Sequence, residues 1–196
     1  MDETLIVVVG PANEEFQVPT KRVLEVSPML YDTFSYLLAQ EDCDGKVTLE
    51  DDSPAAFARF HAWLHCRSIF RVYEFEIRDG NLSFDTREWI QLYLFAAKYY
   101  IVALQNTVMD KLMAGRNRIS FTARECAVIY EGPLPHGCKL QRFVMNWWLK
   151  RARKEDVTLQ LIEMAPELVR SVIVVLLEQN PARNEPWAVN RVSYHD

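Results

Sequence analysis

Chemistry, if this chain performed any, would have to come from a few places. His61-Ala62-Trp63-Leu64-His65 sets two imidazoles one helical turn apart, the spacing with which a zinc protease holds its metal. The glutamate that would act as base between them is missing, and Cys66 is the nearest further ligand. His136-Gly137-Cys138 sits in a Pro/Gly-rich loop, and Asp51-Asp52 offers two adjacent carboxylates. Beside Ser53-Pro54, however, those acids read as turn and helix-start residues that favour the positive end of a helix dipole. No Ser/His/Asp order and no glycine-rich phosphate loop appears, and Gly10-Pro11 lacks the further glycines of a nucleotide cradle. The expectation is a protein without catalytic residues, metal or cofactor. A metal-dependent hydrolase built on His61 and His65 is the remotest of the rival readings.

Two clusters speak of binding rather than reaction. Lys150-Arg151-Ala152-Arg153-Lys154 is the basic cluster, a nuclear-import signal if mobile and otherwise the charged end of a helix, where cations suit the negative pole. Trp147-Trp148 supplies two large aromatics about 100° apart around a helix, so one belongs in a core and the other at a seam.

These residues need elements to position them, and the punctuation is clear. Leu5-Ile6-Val7-Val8-Val9 is a β-branched run closed by Gly10-Pro11, and Glu15 to Val18 alternates, giving a hairpin. Pro19 then opens a short helix with Val23, Leu24 and Val26. Ser27-Pro28 and Ser53-Pro54 are each a cap followed by proline at the first helical position. The first leads the stripe Leu30, Phe34, Leu37 and Leu38; the second leads Phe57, Phe60, Trp63 and Leu64. Lys46 to Leu49 is a short third strand. Residues 67–84 alternate briefly and break at Asp79-Gly80-Asn81, an inserted hairpin or arm. Thr86 is expected to cap a helix bearing Trp89, Leu92, Phe95, Ala96 and Tyr99, followed after a turn near Tyr100 by one bearing Ile101, Leu104, Val108 and Leu112. Beyond Arg116 the signals are helical: 122–130 with Thr122 as cap, 139–150, 159–164 and 167–179, then a loose tail.

Length and composition frame this. A chain of 196 residues, 49% hydrophobic and 25% charged, suits one domain with an appendage and buries enough surface to fold without staples. Cys43, Cys66, Cys126 and Cys138 form no CxxC pair and read as reduced thiols of an intracellular protein, cytoplasmic or nuclear. The acidic start and its short apolar run fit neither a signal peptide nor a membrane span, and Val172 to Leu177 is too short for one. Residues 1–115 carry 10 Lys and Arg against 18 Asp and Glu, whereas the rest carries 12 against 9. An acidic first part argues against direct nucleic-acid binding, which clustered cations drive.

The joint pattern resembles a BTB/POZ domain. The phrases that carry it are Val7-Val8-Val9-Gly10, Phe16-Gln17-Val18, Leu24 with Ser27-Pro28, Phe34, Leu49 to Pro54, Phe57 with Trp63-Leu64, and Leu94 to Asn106. Tyr93-Leu94-Phe95-Ala96-Ala97-Lys98-Tyr99 ahead of Leu104-Gln105-Asn106 is similar to the wording of fungal BTB proteins. Ile129 to Trp148 is similar to their helical extension. The resemblance implies an α+β fold, a small mixed sheet capped by helix pairs over residues 1–115, followed by an all-helical extension over 116–179 and a flexible tail over 180–196. It implies a non-enzymatic interaction module and scaffold that homodimerises. The strand Leu5 to Val9 is taken as a sheet edge open to a partner, and Leu5, Val7, Val23, Leu24, Met29, Leu30 and Tyr31 as the dimer interface. The alternative is an adaptor of a cullin-3 type ubiquitin ligase, with Phe57, Arg59, Tyr93, Tyr99 and Leu104 facing the cullin. Two departures stand out: Pro19-Thr20 replaces the histidine usual in animal members, and Phe57-Ala58-Arg59 puts arginine where cullin binders carry an acid. Such a charge reversal costs several kcal/mol in a desolvated interface.

Overall fold

The computed structural model describes residues 4–40, 45–66 and 86–179. The fold is α+β: among the described residues there are nine α-helices, one 3-10 turn and a three-stranded mixed sheet. Two compact units divide the chain at Met1–Ser120 and Phe121–Asp196. The expected inserted arm and the tail over 180–196 lie outside the described residues. No helix among those described is long and apolar enough to cross a membrane.

In the first unit, β1 (Thr4–Val9) pairs antiparallel with β2 (Glu14–Pro19) and parallel with β3 (Lys46–Leu49), giving the order β2-β1-β3. This corrects the expectation that the strand Leu5 to Val9 is an open edge. β1 is the central strand, with β2 alongside all of it and β3 alongside Ile6 to Val9. Its buried face, Leu5, Val7 and Val9, explains why the most β-branched run of the chain lies in the middle.

The turn after β1 is possible because Gly10 adopts φ +68° and has no side chain. Its N–H donates to the Leu49 carbonyl at 2.9 Å, and a Cβ there would sit 2.7 Å from Pro54 Cγ. Glycine thus lets the sheet end abut the start of the helix that begins at Pro54.

Pro19 still pairs with Thr4 in the sheet, so α1 begins one residue later than expected, at Thr20–Val26. α2 (Pro28–Leu38) is capped by Ser27 as anticipated, its hydroxyl accepting from Leu30 N–H at 2.9 Å. α3 (Pro54–Cys66) buries Phe57, Phe60, Trp63 and Leu64. Thr86, expected as a cap, is itself the first residue of α4 (Thr86–Lys98) and is buried.

Phe57, Phe60, Phe95 and Tyr99 interlock with centroid separations of 4.9 to 5.7 Å, joining α3 to α4 at favourable tilted and edge-on angles. Tyr100, at φ +54°, turns α4 into α5 (Val102–Gly115). Ile101 N–H bonds the Ala96 carbonyl at 2.7 Å and Tyr100 N–H that of Ala97 at 3.2 Å, the two bonds of a Schellman ending.

The second unit contains α6 (Ala123–Tyr130), α7 (Lys139–Arg151), a 3-10 turn (Lys154–Asp156), α8 (Leu159–Met164) and α9 (Pro166–Gln179). Thr122 caps α6 in a full capping box: its hydroxyl accepts from Glu125 N–H while the Glu125 carboxylate accepts from Thr122 N–H at 2.7 Å. Trp148 is buried, and half-buried Trp147 packs on Phe121 with centroids 5.3 Å apart, the core-and-seam division its spacing requires.

Candidate functional site

The histidine pair is brought together on α3 and is spoken for. His65 Nε2 lies 3.1 Å from His61 Nε2, which also lies 2.8 Å from the Gln17 carbonyl of β2. A guanidinium N–H of Arg22 donates to the His65 carbonyl at 3.1 Å, capping the last turn of α3. Burial lowers the His65 pKa, and the neighbouring His61 and Arg22 charges push it the same way. Among the described residues, no group of three His, Cys, Asp or Glu side chains converges as a metal site would need. The pair fastens α3 to the sheet edge at β2.

Asp51 and Asp52 do not act as paired carboxylates. Asp51 is exposed, whereas Asp52 is buried and accepts from Lys98 Nζ at 2.9 Å and from the Tyr99 hydroxyl at 2.6 Å. Burial, with the hydrogen bond to Asp52 next in weight, drives the Tyr99 phenol far above its ordinary pKa. The backbone carbonyl of Tyr99 accepts from the Ser27 hydroxyl at 2.6 Å, and Ser27 Oγ in turn accepts from Leu30 N–H to cap α2. Hence the turn before α3, the end of α4 and the break between α1 and α2 are one hydrogen-bonded assembly. Asp52 and Tyr99 are 47 residues apart, and nothing local in the chain announces their contact.

The expected docking residues divide sharply. Leu5, Val7, Val23 and Leu30 fill the interior of this chain, whereas Leu24 and Met29 are each 45% exposed and Tyr31 is half-exposed. The surface offered on α1 and α2 is therefore Leu24, Met29 and Tyr31, on either side of the Ser27 break, extended by exposed Tyr36. Of the residues expected to face a cullin, Phe57, Tyr93, Tyr99 and Leu104 are buried. Arg59 is half-buried and ion-paired with Glu88 of α4. Four of those five side chains hold the helices together from inside and present no outer face.

In the second unit, His136 is exposed and Gly137 N–H donates to Gln141 Oε1 at 2.7 Å. Buried Gln141 also donates to the Ile129 carbonyl at 3.0 Å, and its own carbonyl accepts the Tyr130 hydroxyl at 2.7 Å. These bonds anchor the loop and leave a shallow recess beside Tyr130, His136, Arg142 and Glu167. Lys150 and Arg151 form the last turn of α7, and Arg153 N–H is held by the Asp156 carboxylate at 2.6 Å. Lys150 and Arg151 are thus favourably placed against the negative pole of α7, while Arg153 and Lys154 lie beyond it at the start of the 3-10 turn.

Compared with known proteins, the chain matches no family model and no curated sequence.

Proposed function

We propose that this chain is a protein–protein interaction module whose first unit is a BTB/POZ domain and whose second is its helical extension. It homodimerises and docks partners through α1 and α2, inside the cell, in cytoplasm or nucleus. The observation that carries this reading is the exposure of Leu24 and Met29, 45% each, on two short helices whose break is fixed from behind by Ser27 and Tyr99. An apolar surface on a rigid backing loses little conformational entropy when it is covered. By contrast, Asp52 and the His61–His65 pair, the residues whose types best suit chemistry, are engaged in holding elements together.

Sedimentation velocity at micromolar concentration tests it. The chain is expected to run as a dimer at about 1 μM, and Leu24→Glu with Met29→Glu to run as a monomer at that low concentration with an unchanged melting curve. A wild-type chain that stays monomeric refutes the dimer.

A further inference from the structure

The outward face of α9 carries a pattern that the first unit's docking surface does not explain. The helix buries Leu168 and leaves Val169, Ser171, Val172 and Val175 half-buried along its inner side. Its opposite side carries Arg170, Ile173, Val174, Leu177 and Glu178, all exposed, with Ile173 at 50%, Val174 at 45% and Leu177 at 52%. Spacings of three and four residues put these five on one stripe. These three branched aliphatic side chains, with Leu176, 53% exposed, on the flank of the stripe, are the reverse of an ordinary amphipathic pattern.

The charges say what covers the stripe. Arg170 lies four residues before Val174 and Glu178 four residues after it, so the two are about 6 Å to either side of Val174 along the axis at 1.5 Å per residue. A helix so marked is complementary to itself when reversed. If a second copy lies antiparallel with the two-fold axis at Val174, each Arg170 faces the second copy's Glu178, and Ile173, Val174 and Leu177 meet at the centre. Parallel stacking would instead bring like charges together. Among the described residues, Arg170 pairs with Glu167 at 3.7 Å, with side chains 76% and 45% exposed, a contact of little strength that is readily exchanged.

We infer that α9 is a second self-association surface, an antiparallel pairing of two copies about Val174. One helix pair is small beside a standard interface, so the association is weak, with a Kd of about 100 μM or above that shows only at high protein concentration. The inference does not rest on the reading of α1 and α2.

The test uses the full chain carrying Leu24→Glu and Met29→Glu, so that only α9 can associate, and follows mass by sedimentation equilibrium. Concentration-dependent dimerisation is expected, and Arg170→Glu or Glu178→Arg alone should weaken it about tenfold or more by setting like charges face to face twice per dimer. Mixing those two single variants should restore association, because every facing pair in the mixed dimer is then opposite in sign. Val174→Arg, at the axis, should abolish it, and unchanged circular dichroism verifies that each variant keeps its helices. A parent that stays monomeric, single variants that associate as before, or a mixture no stronger than its components would each overturn the proposal.

Discussion

The carboxylate of Asp52 and the phenol of Tyr99 meet at 2.6 Å in the interior of the first unit, with Lys98 Nζ on the same Asp52 oxygen at 2.9 Å. Tyr99→Phe keeps the ring packing on Phe95 but leaves the buried acid with fewer donors. A cost of about 1–3 kcal/mol is expected, read by urea denaturation. Stability should also change with alkaline pH. Because the folded phenol holds its proton well above the ordinary pKa, its contribution is complete below about pH 10 and is lost as pH rises beyond, where the unfolded chain ionises first. Tyr99→Phe should flatten that alkaline decline.

His65 gives the opposite limb. Its lowered pKa means that the unfolded chain takes up a proton before the folded one, so its contribution is present above about pH 6.5 and is lost as pH falls through the folded value. His65→Asn should make stability less sensitive to acid between neutrality and pH 5, and an NMR titration of the ring should give a midpoint below that of a free histidine.

Gly10 and Gly45 share a left-handed backbone, at φ +68° and +71°, but not their surroundings. An added Cβ at Gly45 meets nothing within 4 Å, whereas at Gly10 it strikes Pro54 Cγ at 2.7 Å and Cδ at 2.8 Å. Gly45→Ala should cost about 1–2 kcal/mol from backbone alone. Gly10→Ala adds an overpacking penalty of about 1–3 kcal/mol. Thermal denaturation of the two variants side by side measures the difference.

Tyr100 occupies the left-handed position that ends α4, with its side chain 70% exposed. Tyr100→Gly removes the strain of a Cβ there and little packing, so it should stabilise the chain by up to about 1 kcal/mol. A lower denaturation midpoint would contradict this.

Trp63, only 3% exposed, packs near Phe60 in the α3 core. Trp63→Ala should cost about 3–5 kcal/mol, visible as a large fall in melting temperature.

What was legible in the chain is what local physics decides. Ser27-Pro28, Ser53-Pro54 and Thr122 mark helix starts because a hydroxyl and a proline act on the backbone within three residues of themselves, and α8 begins and ends where its apolar spacing places it. What was not legible is decided between distant segments. The run Leu5 to Val9 declares itself a strand, yet its place in the middle of the sheet depends on Lys46 to Leu49 lying alongside it. Asp52 resembles a turn residue until Lys98 and Tyr99 arrive. Val23 and Leu24 are equally apolar neighbours, and only the packed helix says that the first is core and the second is surface.

Arg22 stands two residues before Leu24 on α1 and reaches across to grip the final carbonyls of α3, at Leu64 and His65. One guanidinium thus fastens the short first helix to the end of the third, and Leu24 is displayed from a helix tied down at both its neighbours rather than from a free-standing turn.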